Sequence, residues 1–279
     1  MTMTQDLQFG ELIHQSGYKP DSHATFTGTY KGLPVIIKQG DSHLRHEETV
    51  LQAVNYTGIP EIVGYFEEKE KDVLVMKRIS GVSLSRYIEL GNNWQSRKLP
   101  LKEALRIVDG LAQCFEALHK AGYLYRDLNL SHVIVDGLNV GLVDYEWCVK
   151  MDTSGLGRVD SRAGTWETMA PEEFEVGNTI APMSNTYTLG IVLLQLTTGK
   201  NPFFVSSEEI SNSESQRLRA KELHQQLQNI HTGSKKIDHI LNRSLRPMPE
   251  ERYQSVAEFR GALIEKITET KKTPKTVSF

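Results

Sequence analysis

Residues 125–136 read YRDLNLSHVIVD, and a second acidic cluster, VDYEWC, follows at 143–148. An Arg-Asp pair, Arg126-Asp127, set after an aromatic residue and ahead of a short apolar strand, has the make-up of a catalytic loop. The chemistry it could do is phosphoryl transfer, which asks a protein for positioning and charge stabilisation more than for covalent work. That chemistry would want an Asn where His132 stands. A single further cation, Lys38, ends the β-branched run LPVIIK. Taken alone, a Lys on a strand is usually just part of a solvated face.

Such residues need elements to hold them, and the chain is long enough to supply them. Its 279 residues allow one large domain or two small lobes with sizeable cores. The first part reads as strands. TFTGTYKG and LPVIIKQ are separated by Lys31-Gly32, a hairpin signal. DSHLRHEETVLQAV reads as a helix that Asp41 or Ser42 could cap, and EIVGYFEE and DVLVMKRI read as two more strands. From about residue 83 the pattern turns helical. PLKEALRIVDGLAQCFEALHKAG is amphipathic with Gly122 just past its end, and TYTLGIVLLQLTTG is nearly all apolar, as a buried helix would be. SESQRLRAKELHQQLQNIH and SVAEFRGALIEKI read as further helices, and the tail TETKKTPKTVSF as disordered. KRISGVS is the connection between the strand-rich and helix-rich parts.

Composition narrows the setting. A net charge of -3 gives no reason to expect nucleic acid or an anionic membrane as partner. Two cysteines, Cys114 and Cys148, stand far apart without metal-ligand spacing and favour a reducing compartment. The N-terminus lacks a basic n-region and an apolar core, and the longest apolar run, LGIVLLQL, is too short to span a bilayer. A soluble cytoplasmic protein is the expectation.

In this order the motifs resemble the protein-kinase superfamily over nearly the whole chain, and the wording is similar to that of bacterial eukaryotic-like Ser/Thr kinases. VIIK looks like the strand of the phosphate-binding Lys, with Glu47 on the next helix as its partner. YRDLNLSH matches H-R-D-L-x-x-x-N, DYE matches D-F-G, and GTWETMAPEE matches the G-T…A-P-E end of an activation segment. The resemblance implies a bilobal α+β fold. A small antiparallel lobe with one helix would cover 1–79, a larger helical lobe 80–266, and the tail 267–279. It implies ATP with Mg2+ or Mn2+, and a protein substrate or regulated partner. By the same resemblance Lys38 would hold the α and β phosphates and Asp144 the metal, while Asp127 would orient a substrate hydroxyl and take its proton. Backbone near Lys77 to Ile79 would bind adenine, with Met76 at the inner wall or simply in the core. Arg126 would read a phosphate on Thr153, Ser154 or Ser161 of the segment that runs on to Thr165, or else cap local carbonyls. Glu172 and Arg252 would form a buried pair, and Leu51, Ile62, Tyr125 and Tyr145 an apolar column between the lobes.

The sequence also departs from the family pattern. Counted back from YKG, the glycine-loop positions read Ser22, Ala24 and Thr27, so side chains would crowd the turn. Asn129 replaces the Lys that contacts the γ-phosphate. His132 replaces a metal-binding Asn, and imidazole is a poor magnesium ligand. Glu146 replaces the Gly of D-F-G, where it would restrict the segment or offer a further carboxylate. Asn185 replaces an Asp that braces the catalytic loop. Lys38 and Glu47 stand close in sequence, leaving Glu48 as an alternative partner. Three readings follow: an unconventional Ser/Thr kinase, favoured by the retained Lys38, Glu47, Asp127 and Asp144; a pseudokinase scaffold, favoured by the loop and His132; and a small-molecule kinase, opposed by the peptide ledge that Gly164-Thr165 and Ala170-Pro171-Glu172 would form.

Overall fold

The computed structural model describes residues 6–15, 23–40, 43–68, 70–92, 94–161, 163–204, 213–227 and 230–272. The expected helix cap at Asp41 or Ser42 and the loop position Ser22 lie outside them.

The N-terminal lobe is a five-stranded sheet of β1 (Leu7–Gln15), β2 (Ala24–Tyr30), β3 (Leu33–Gly40), β4 (Ile62–Glu68) and β5 (Lys71–Lys77). Its order is β1-β2-β3-β5-β4, with every pairing antiparallel. Lys31 and Gly32 both take positive φ, 51° and 78°, the backbone of a tight two-residue hairpin between Tyr30 and Leu33. Strand alternation splits β3 into two faces. Val35 and Ile37 join Val73 and Val75 in one small core, while Ile36 packs with Met76 and Leu51 in the main core. Lys38 shares the face of Ile36 and so points toward α1 (His43–Ala53), which buries Leu44, Glu47, Val50 and Leu51.

After β5 the chain crosses to the second lobe. Gly81 has φ 120°, and a Cβ there would stand 2.5 Å from the Val135 carbonyl oxygen, so the crossover needs glycine twice over. Short β6 (Val82–Ser83) and α2 (Leu84–Tyr87) lead to α3 (Leu101–Lys120). Next come β7 (Tyr123–Leu124), the hairpin β8 (Val133–Asp136) and β9 (Asn139–Leu142), then β10 (Val149–Lys150), β11 (Gly157–Arg158) and β12 (Thr179–Ile180). Strand β6 edges the β8–β9 hairpin, β7 pairs with β10, and β11 with β12. The remaining helices are α4 (Pro182–Thr198), α5 (Ser213–Gln226), α6 (Lys235–Ser244) and α7 (Val256–Lys272). Helix α4 is buried all round from Ser184 to Leu196, starts with Pro182 at its first turn, and is stopped by Gly199 at φ 76°.

Several elements go beyond the sequence reading, β1 and α6 among them. Strand β1 is exposed along most of its length, with Phe9, Leu12 and Ile13 open to solvent, so its weak alternation gives little signal. Helix α6 is polar on average but buries Ile237, Ile240 and Leu241 at helical spacing. Helix α7 also continues to Lys272, into the segment expected to be a disordered tail.

Candidate active site

The site is organised around the Lys38 ammonium. It donates to Glu47 Oε2 at 2.8 Å, to Asp144 Oδ1 at 3.1 Å and to Glu146 Oε1 at 3.1 Å. Glu47 is thus the helix partner, and Glu48 instead accepts from Gln52. The other Glu47 oxygen accepts the Tyr145 amide at 3.1 Å, which fixes the chain just past Asp144. Asp144 itself sits at φ 70°, a left-handed backbone that costs a side-chain-bearing residue about 1 kcal/mol or more. Burial works against the charge on Lys38, but the three carboxyl groups outweigh it and hold its pKa well above the ordinary value. For Asp144 burial is again opposed, by Lys38, and the result lies well below the usual carboxylate range. Glu146 goes the other way. Burial, helped by the Asp144 and Glu47 charges, overcomes Lys38 and raises it to about 8. His23 Nδ1 lies 3.1 Å from the same Glu146 oxygen, and burial followed by the Lys38 charge lowers this imidazole to about 4.

The catalytic-loop residues are held by neutral hydrogen bonds. Asn185, buried in α4, accepts the Tyr125 amide at 3.2 Å and donates to the Tyr125 carbonyl at 2.6 Å. His119 Nε2 is 2.8 Å from the same Asn185 oxygen, and burial lowers the His119 pKa. An amide can serve both backbone groups, which a carboxylate could not. The Tyr125 ring stacks on Phe115 at 5.5 Å and meets Tyr145 edge-on at 5.9 Å, and Leu51 and Ile62 pack in the same core. Asp127 Oδ1 accepts the Thr165 hydroxyl at 2.7 Å, leaving Oδ2 for another donor. Thr165 therefore touches Asp127.

His132 joins the two halves. Its Nδ1 lies 3.0 Å from the Asp127 carbonyl and 3.3 Å from the Tyr125 hydroxyl. Nε2 faces Asp144 Oδ2 at 3.5 Å. Asn129 turns its side-chain oxygen to the Ser131 amide and hydroxyl, at 2.9 and 2.7 Å, and so closes a local turn. Arg126 is buried and spreads over the activation segment, donating to Ser161 Oγ and carbonyl at 3.3 and 3.0 Å, to the Ala163 carbonyl at 3.1 Å and to Asp160 at 3.4 Å. Its described partners thus include Ser161. Thr153 and Ser154 lie exposed in a separate turn that Asp152 caps. Glu172 and Arg252 meet in two contacts of 2.7 and 2.9 Å, with Arg252 over the Tyr187 ring.

On the hinge side Met76 is buried in the core, the Lys77 amide donates to the Glu61 carbonyl at 2.8 Å, and Arg78 to the Pro34 carbonyl at 3.2 Å. The Ile79 side chain points to Gly141, where a Cβ would lie 3.0 Å from it. The glycine-loop register needs correction. Thr27 lies in mid-β2 opposite Ile36, its hydroxyl accepting the Glu11 amide at 2.9 Å, so it belongs to the sheet and not to the loop. Spacing back from YKG alone takes no account of β1, which ends at Gln15, ahead of β2 at Ala24. His23, just ahead of β2, stands in no motif, and the pairing of β2 with β3, which sets Thr25 opposite Lys38, brings it to the Lys38 cluster.

The residues present fit a divalent cation. Oxygens of Glu47, Asp144 and Glu146 lie within 4.8 Å of one another, a hard donor set of the kind magnesium and manganese take.

The model of the protein kinase domain matches residues 33–263. The chain belongs to the protein kinase family. Among curated relatives, the chain is 25% identical over 230 residues to the serine/threonine-protein kinase PknB of Mycobacterium leprae, covering 79% of this chain and 35% of that protein. It is 26% identical over 160 residues to the serine/threonine-protein kinase PrkC of Bacillus subtilis, covering 57% and 24%. It is 26% identical over 207 residues to a probable L-type lectin-domain containing receptor kinase of Arabidopsis thaliana, covering 67% and 30%. The alignments take in about a third of these relatives' length or less. No helix among the described residues of the kinase is long and apolar enough to cross a membrane.

Proposed function

We propose that this kinase domain binds ATP with Mg2+ or Mn2+ and transfers the γ-phosphate to a Ser or Thr hydroxyl of a protein. The observation that carries the reading is the Lys38–Glu47 pair at 2.8 Å with Asp144 on the same ammonium, which links sheet, helix and metal-binding segment in one contact. When bound, the nucleotide and cation supply the phosphoryl group and the charge that offsets it. Lys38 contributes a fixed ammonium for phosphate oxygens, and Glu47 holds it in place. Asp144, with Glu146 beside it and His132 Nε2 opposite, would hold the cation. Asp127 receives the substrate hydroxyl on the oxygen that Thr165 leaves open, and takes its proton. Hinge backbone from Lys77 to Ile79, beside Met76, is the place for adenine. Asn129 acts on the loop and not on phosphate, in keeping with its bonds to Ser131. Ser161 is the segment residue we assign to Arg126 as a phosphate acceptor, since it already lies against the guanidinium. Two buried free thiols, Cys114 and Cys148, fit a cytoplasmic setting.

The pseudokinase reading has its own observation in favour: every N–H of Lys38 already ends on a carboxyl group. The deciding experiment is phosphate transfer to a generic basic protein and to the kinase itself, in magnesium and in manganese, for wild type and Asp127→Asn. Transfer by wild type that Asp127→Asn abolishes supports the enzyme. Absence of transfer by wild type in both metals assigns the scaffold role.

A further inference from the structure

A lysine ammonium has three donors and no acceptor. In this kinase Glu47, Asp144 and Glu146 take all three. The three partners are not equally free to leave. Glu47 is fully buried and also tied to the Tyr145 amide. Asp144 is the most open of them, at 23% side-chain exposure, and faces the His132 Nε2 at 3.5 Å. Glu146 is buried, and one oxygen serves both Lys38 and His23. A phosphate oxygen approaching Lys38 must therefore displace a carboxyl group. Displaced without a partner, that group would stay in a dry site next to an anion, as an unpaired buried charge in the case of Asp144 and as an unpaired buried polar group in the case of Glu146. A divalent cation removes this cost, because it can take up the Asp144 and Glu146 oxygens while Lys38 keeps Glu47.

Resting on the nucleotide-binding reading above, we propose that Glu146 is a specificity-determining residue of the site: it holds the phosphate's place on Lys38 and makes polyphosphate binding conditional on a divalent cation. The site then discriminates by phosphate. An adenosine, which needs nothing from Lys38, enters with or without metal, whereas ADP enters only with it.

The test is calorimetric titration of the full chain with adenosine and with ADP, in EDTA, in magnesium and in manganese, for wild type, Glu146→Ala and Glu146→Gly. Two variants guard against one failing to fold, which circular dichroism would reveal. Wild type is expected to bind adenosine equally in all three buffers and ADP only with metal. In EDTA, either variant is expected to bind ADP about ten-fold or more tightly than wild type, the worth of one charge-assisted hydrogen bond. That gain should vanish in the Lys38→Met background, which a merely structural role for Glu146 would not require. ADP affinity that is the same with and without metal in wild type overturns the proposal, as does affinity in EDTA that neither variant improves. In both cases persisting adenosine binding leaves the nucleotide-binding reading standing. Failure of wild type and variants to bind either ligand in any buffer removes that reading and the proposal together.

Discussion

The Lys38 cluster and the Asp127 loop meet at His132 and are held by opposite means. Around Asp127 most of the contacts are single hydrogen bonds to backbone or hydroxyl groups: Asn185 with both backbone groups of Tyr125, and Thr165 with one oxygen of Asp127. Around Lys38 one cation serves three carboxyl groups, and all three depart from ordinary titration, Asp144 downward and Glu47 and Glu146 upward. The lower half can tolerate the loss of a partner for the price of a hydrogen bond. The upper half cannot, because any group removed leaves charge behind. Variation from the family pattern has consequently different meanings in the two places. Asn185 for Asp trades an acceptor-only group for one that both accepts and donates, while Glu146 for Gly adds a carboxyl group that competes for Lys38.

The largest contrast should come from Asp127→Asn. Phosphate transfer should fall by about 10²–10⁴-fold, the usual worth of a general base, with stability nearly unchanged. Paired rate and urea-denaturation measurements check it, and an unfolded variant would contradict the tolerance of this half. Lys38→Met should do the reverse in stability. It should cost about 3–5 kcal/mol at neutral pH, as when one partner of a buried pair is lost, as well as weakening ATP binding. A denaturation midpoint equal to that of wild type would mean that the carboxyl groups find relief elsewhere.

Next in size is the pH dependence. Glu146 is raised from 4.5 to about 8 on folding, so its contribution to stability is present below its unfolded value and is lost as pH rises through about 8. Melting temperature recorded across that window should decline in wild type, and Glu146→Gln should flatten the decline. Equal slopes would show that Glu146 does not titrate differently in the folded state. His132→Asn should raise transfer in magnesium more than in manganese, since oxygen suits the former ion and imidazole the latter. Equal changes in the two metals would place His132 outside the cation's reach. Smallest of all, Ser161→Ala should shift stability by no more than about 0.5 kcal/mol, because Arg126 keeps two backbone carbonyls. Mass spectrometry after incubation with ATP tests whether Ser161 gains phosphate.

The order of motifs was enough to read the bilobal fold through the family resemblance, with Lys38 on a strand and Glu47 on a helix of clear pattern and Asp127 and Asp144 in the loops that follow short strands. The strand alternation of VIIK even implies which face Lys38 takes. Other features were hidden for physical reasons. Strand β1 is exposed and gives little pattern, so spacing back from YKG alone puts Thr27 in a turn that β2 in fact contains as strand. Thr165 reaches Asp127 only because the activation segment folds back over the catalytic loop. His23 meets Glu146 through a hairpin and a cleft, a conjunction that no local spacing encodes.

Helix α4 has no wet face from Ser184 to Leu196, so nothing but its neighbours α3, α6 and α7 can keep it helical. Its amides should exchange with deuterium only when the whole lobe opens. Asn185, which sets the course of the backbone at Tyr125, is anchored in this slowest-exchanging part of the molecule. The catalytic loop therefore has no partly melted state of its own to visit. On heating or in denaturant it should keep its shape until the lobe is lost, and then go with it in a single step.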